Sequence, residues 1–323
     1  CIRDRSILLF DRNSLLSVQA IESIRNFGLI GVYVLEPAEP LPPMTQEDLE
    51  FERFQIKAVS AIEEELDRIL KTRKQSRIQT IADMVIRNYG HLDEKINFYQ
   101  NLRSLEDYVS RHSLNVAILC AMITHVMNIR REEQYHTVCA ALLHDMGKLK
   151  KHEDVYFGAP YSREDAIRNC ETQEEAYSVI EDAFATEGPA IRRICQQAAG
   201  KQLDLFPEEG KESRYKMLEG SNVLLVANRY DEITAMTLQG TAQSEVKAAQ
   251  ELLEHPEVYD PETVQALLRS INILPPGASV ELSTGEKALV LSENEENVLR
   301  PTVVSFRDNS ILNLALPQNE DIQ

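Results

Sequence analysis

Ile7-Leu8-Leu9-Phe10 and Gly31-Val32-Tyr33-Val34-Leu35 are compact apolar runs that read as short strands. Between them residues 14–27 place apolar side chains at helical spacing. The proline-rich stretch Pro37 to Pro43 then breaks any regular element. From Thr45, with Glu47 and Asp48 just behind it, a charged amphipathic helix is expected to about residue 74. Helical periodicity fills most of 76–235, interrupted by two polar stretches read as loops, 151–172 and 200–220. His255-Pro256 ends one helix, and Asp260-Pro261-Glu262 starts another that runs to about Asn272. After Pro275-Pro276-Gly277 the period changes. Ser279 to Leu282 and Ala288 to Leu291 flank Thr284-Gly285-Glu286 as a hairpin, and Val303-Val304 and Ile311-Leu312 add candidate strands. The amino-terminal strands are candidates to pair with these late ones, and the polar tail from Pro317 is expected to fray.

These elements predict a mainly α protein: an N-terminal α/β cap with a linker helix (1–74), a helical bundle (75–273), and a small C-terminal β element with its tail (274–323). Composition supports a packed chain, since 43% of 323 residues are apolar and 27% charged. With 34 Lys+Arg against 52 Asp+Glu the net charge is −18, which disfavours general nucleic-acid binding. No apolar run approaches the ~20 residues of a membrane span, and no leader-like segment opens the chain. It begins at Cys1 rather than Met, so a fragment or trimmed chain is expected. Five widely spaced cysteines without a CxxC read as buried free thiols in a reducing, cytoplasmic setting.

Three segments carry candidate chemistry. In Leu143-His144-Asp145-Met146-Gly147-Lys148 an imidazole and a carboxylate are adjacent, both ordinary ligands for Fe, Mn or Zn. Adjacent residues on a regular helix diverge by about 100°, so both reach one ion only near a helix end, where Gly147 helps. Lys148 adds a point charge suited to a phosphate oxygen. His112 opens a strongly apolar helix, where the plain alternative is a core histidine bonded to a backbone carbonyl. Val223 to Ala227 delivers Asn228 and, three residues on, Asp231, which share a helix face and otherwise serve to satisfy buried backbone or arginine groups. His125 reads as core; His91, His136 and His255 read as solvated; His152 is a remote candidate for a replacement ligand. Lys148, Lys150, Lys151 and Arg111 form the one basic cluster, equally explicable as a solvated helix end.

Taken in order, these segments resemble the HD superfamily of metal-dependent phosphohydrolases, in which a His, a His-Asp pair and a later Asp surround a metal. More narrowly the chain resembles the HD-GYP group, whose active members hydrolyse bacterial cyclic di-GMP at a two- or three-metal centre. Gly31 to Val34, His112 to Ala117, Leu143 to Lys148, Val226 to Asp231, Pro275 to Glu286 and Arg300 to Val304 carry the resemblance along nearly the whole chain. It implies metal ligation by His112, His144, Asp145 and Asn228, a catalytic role for Asp145 and Lys148, and substrate contacts from Lys148 and Arg111. Tyr108 stands where three-metal members carry a Glu; plain packing is the reading preferred for it.

The departures bear most on function. The His-His-Glu-Arg stretch and Gly-Tyr-Pro of active members are absent, the corresponding stretch reading Ile194-Cys195-Gln196-Gln197-Ala198-Ala199-Gly200-Lys201. No histidine lies between His152 and His255, and the family's last Asp is Asn228. A second ion would lose its unshared ligands, and the first would exchange an anionic ligand for a neutral amide. The expectation is a degenerate HD-GYP-like signalling protein, bacterial and cytoplasmic, with at most one weakly held divalent metal (Fe, Mn or similar). Its partner would be a cyclic dinucleotide or a signalling protein, with a homodimer allowed for. The alternatives are an active phosphohydrolase with a mononuclear site and a metal-free scaffold. Glu174, Glu175, Asp182 and Glu187 remain candidates to supply a replacement carboxylate.

Overall fold

A computed structural model of the chain describes residues 2–4, 7–10, 17–26, 46–98, 100, 103–150, 162–206, 216–237 and 242–322. The expected strand at 31–35, the proline-rich stretch at 37–43, Cys1, Lys151 and His152 lie outside them. The chain divides into two compact units, residues 1–60 and 61–323.

In the first unit, β1 (Ile2–Asp4) and β2 (Ile7–Phe10) pair antiparallel with each other, and α1 spans Val18–Asn26. Of the two amino-terminal strands expected to pair with the late ones, the one at 31–35 lies outside the described residues; the one at 7–10 is β2, which among the described residues pairs with β1, a strand the sequence reading did not give. Strands so near in sequence pair without the loop-closure entropy of a pairing across the whole chain. Helix α2 (Gln46–Thr72) runs across the unit boundary.

The second unit holds eight further helices among the described residues: α3 (Ile78–Tyr89), α4 (Tyr108–Val126), α5 (Arg131–Leu143), α6 (Arg163–Phe184), α7 (Gly188–Gln202), α8 (Glu219–Thr234), α9 (Glu245–Glu254) and α10 (Pro261–Ser270). Helix α4 is the axle. It is buried almost all round and packs against α3, α5, α8 and α10, which is why its sequence is apolar on every face rather than on a stripe. Glu65, buried near the carboxyl end of α2, accepts hydrogen bonds from the backbone N–H groups of Ser76 and Arg77 and so caps α3 from a distance.

Both expected loops are shorter than the polarity of their sequences suggested. Helix α6 begins at Arg163, because Ser162 and Asp165 form a reciprocal capping box. Helix α7 continues through Gly200 to Gln202, followed by a 3-10 turn at Leu203–Leu205.

The last part is an antiparallel sheet in the order β3 (Ser279–Glu281), β4 (Lys287–Ser292), β5 (Thr302–Ser305), β6 (Ile311–Asn313). Gly285, with φ of +78°, makes the turn between β3 and β4. The tail is not frayed: Arg300 donates from its guanidinium to the carbonyls of Ile322 at 2.6 Å and Glu320 at 2.8 Å, and Asn319 is buried. No helix of the described residues is long and apolar enough to cross a membrane.

Candidate metal centre

Helix α5 stops at Leu143. His144 occupies its C-cap, and the chain tightens into a 3-10 turn at Met146–Lys150. That change of pitch lets adjacent side chains converge. The turn lies against α6, where Gln173 accepts from the Gly147 N–H at 2.9 Å and donates to Asp145 Oδ1 at 3.1 Å. Tyr177, one turn along α6, donates to the His144 carbonyl at 3.0 Å. A Cβ on Gly147 would sit 2.6 Å from both Gln173 Oε1 and the Thr172 carbonyl, so this close approach needs glycine.

The donor atoms meet around one point. His112 Nε2 and His144 Nε2 are 3.2 Å apart and lie 2.8 and 2.9 Å from Asn228 Oδ1. The Asp145 carboxylate stands 3.5 Å from His112 Nε2 and 3.8 Å from His144 Nε2. All four residues are buried. Each imidazole has its other nitrogen anchored: His112 Nδ1 lies 2.6 Å from Asp231 Oδ2, and His144 Nδ1 lies 2.8 Å from the Ala141 carbonyl. Both partners accept, so in a neutral ring the proton resides on Nδ1 and the lone pair on Nε2 points inward. Four electron-pair donors then face one another, an arrangement balanced by a cation or by a proton on an imidazole. Burial holds the His144 pKa below its ordinary value; Asp145 acts against that shift, while His112 reinforces it. The proton alternative is thereby disfavoured at that ring, and the donor set fits one divalent metal ion.

Behind His112, Asp231 is fully buried and receives Arg103 through two bonds of 2.7 Å, with Gln100 and Asn115 donating at 2.9 and 3.0 Å. Burial alone would raise the Asp231 pKa, but the Arg103 guanidinium, together with His112, outweighs it and holds the carboxyl far below the usual range. Asp145 is likewise held low, with Lys148, His144 and His112 overcoming desolvation. Lys148 is buried and donates to Asp145 Oδ2 at 2.7 Å; Tyr108 stacks on His112 with ring centroids 5.4 Å apart.

Arg111 is not brought to this point; its guanidinium pairs with Asp107 at the N-cap of α4, four residues before it. Glu174 pairs with Arg192, Asp182 with Arg73, and Glu187 accepts from Gln79, so none of these three swings in. His125 is a correction: it sits at the end of α4, about one-third exposed, 2.8 Å from Asp93. The residues that sequence reading missed are Arg103, Gln173 and Glu232. The last lies one turn beyond Asn228 and lines the same small cavity, about 30 Å³, as His144, Asp145 and Lys148. That space has room for an ion and one or two waters. The two thiols that line this cavity are held protonated by burial, which raises Cys170 to about 11 and pushes Cys195 well above the ordinary thiol range.

Residues 109–236 match the HD domain family. The matched segment runs from α4 through the end of α8 and contains all four converging residues, which supports membership of the HD superfamily and a metal-dependent phosphohydrolase fold. No curated protein and no solved structure matches the chain.

Proposed function

We propose that this protein is a cyclic-dinucleotide signalling module of the HD-GYP kind, built on the HD fold, which holds one divalent cation and binds its ligand without two-metal hydrolysis. The observation that carries the reading is the single constellation of cation ligands among the described residues, His112, His144 and Asp145, with Asn228 as fourth donor. Beyond His144 and Asp145 the cavity lining offers no further imidazole and one further carboxylate, Glu232, fewer donors than a second ion would need. An ion in the remaining site would supply Lewis-acid polarisation of a phosphoryl oxygen. Asp145 and the two histidines would hold it, Asp231 and the Ala141 carbonyl keep the rings oriented, and Lys148 faces the same cavity as the phosphate-directed cation. The small cavity suits contact with a phosphate edge rather than enclosure of a nucleotide.

A second reading, a phosphohydrolase with a mononuclear site, is favoured by the placement of Lys148 beside Asp145. Incubation with cyclic di-GMP and Mn²⁺ or Fe²⁺ separates the two. We expect calorimetric binding with no linear dinucleotide or GMP formed. Turnover abolished by His144→Ala would establish the second reading instead. A signalling protein as partner is expected to recognise the ligand-bound form.

A further inference from the structure

Among the described residues the C-terminal sheet ends on β3, which has β4 on one side and no strand on the other. The alternation of an antiparallel ladder fixes which way its backbone groups point. Val290 donates its N–H to the Ala278 carbonyl and Leu282 donates to the Glu286 carbonyl, so residues 278, 280 and 282 face β4. Ser279 and Glu281 therefore turn their N–H and C=O groups outward, and both residues are exposed. Unpaired edge groups of this kind are a template for a further strand.

A groove of about 970 Å³ lies at that edge. Successive residues of a strand point to opposite faces, yet Ser279, Val280 and Glu281 all line it, so the groove meets β3 at its edge rather than on one face. Helix α9 contributes Val246 and Leu253 to the lining, and Leu274 and Leu282 add apolar surface between the two elements. The charge here is one-sided. Glu245 and Glu254 of α9 and Glu281 of β3 line the groove without an ion pair among the described residues, against Lys247. Arg300, the other cation of the lining, directs its guanidinium to the carbonyls of Ile322 and Glu320.

We propose that the edge of β3 and the side of α9 form a docking groove for an extended, basic segment of a partner protein, which adds to the sheet as a further strand. The outward groups of Ser279 and Glu281 would hold its backbone, alternate apolar side chains would enter the groove, and its cations would meet the three carboxylates. A second copy of this chain fits less well, because at a net charge of −18 it brings further carboxylates to an acidic surface. The groove shares no lining residue with the cavity of the metal centre, so the proposal stands apart from the cation reading.

The test is fluorescence anisotropy of the full chain with a labelled peptide of alternating valine and lysine, set against the same peptide with glutamate in place of lysine. The lysine peptide is expected to bind about tenfold more tightly at low salt, with the advantage shrinking as salt is added. Ser279→Pro removes an outward N–H that β4 does not use, so melting temperature should change little while binding of the lysine peptide falls about tenfold. Glu281→Lys is expected to close most of the gap between the two peptides. This exposed change leaves the core untouched, so its result decides if Ser279→Pro does not fold. Binding of the lysine peptide that neither variant alters is attraction to the net charge alone and overturns the proposal, as does equal binding of the two peptides or none. A concentration-dependent dimer abolished by Ser279→Pro would assign the groove to a second copy and overturn it too.

Discussion

Asp231→Asn removes the charge at the centre of the buried polar network while keeping its shape. In the native protein one carboxylate receives both arms of Arg103 at 2.7 Å, the amides of Gln100 and Asn115, and His112 Nδ1 at 2.6 Å. The amide leaves the Arg103 guanidinium, itself 1% exposed, without its counter-charge. Breaking a buried pair from one side costs about 3–5 kcal/mol. Urea denaturation at pH 7 should show a loss of that size, with the slope unchanged. The pH dependence follows from the depressed folded pKa of Asp231, set against its ordinary unfolded value of about 3.9. The stabilising contribution is complete above that unfolded value and is lost as pH falls through the folded one. The gap between wild type and variant should therefore hold from pH 7 to about 5 and narrow below about 4. A double replacement by apolar residues, Arg103→Met with Asp231→Leu, should recover much of the stability but not the orientation of His112. A loss under 1 kcal/mol for Asp231→Asn, or a gap that widens in acid, would refute this account of the network.

Gly147→Ala forces a Cβ against Gln173 and the Thr172 carbonyl, so it should cost about 1–3 kcal/mol in thermal melts and lower metal uptake by displacing Asp145. Glu65→Ala removes the remote cap of α3 and should cost about 0.5–2 kcal/mol, read as a lower urea midpoint. Arg300→Ala should expose the residues after Pro317 to limited proteolysis at protease levels that leave the wild type intact. Buried Cys120, Cys139 and Cys195 should resist maleimide at pH 8 in native protein and react once it is unfolded.

The ligands were legible in the sequence because each sits where a local pattern changes: His112 at the mouth of an apolar helix, His144-Asp145 before a glycine at a helix end, Asn228 at the polar turn of a buried helix. Their supports were not. Arg103 comes from an irregular stretch whose backbone is tied to Met236, and nothing local marks it as the partner of Asp231. Gln173 looks like a solvated position on a charged helix, and Glu232 like the polar end of an apolar one, until tertiary packing turns them inward. The start of α6 did carry a signal, Ser162-Arg163-Glu164-Asp165, which the surrounding glycine, proline and polar residues obscured. Pairing of the late strands was visible because Thr284-Gly285-Glu286 fixes the hairpin. The pairing of β2 with β1 was not, since short apolar runs specify neither partner nor register.

Equilibrium dialysis of the full chain against saturating Mn²⁺, with metal quantified per chain, tests the single-cation site most directly. One ion per chain, lost in His112→Ala and His144→Ala, is the predicted result. A plateau at two ions, or no uptake at all, would contradict it.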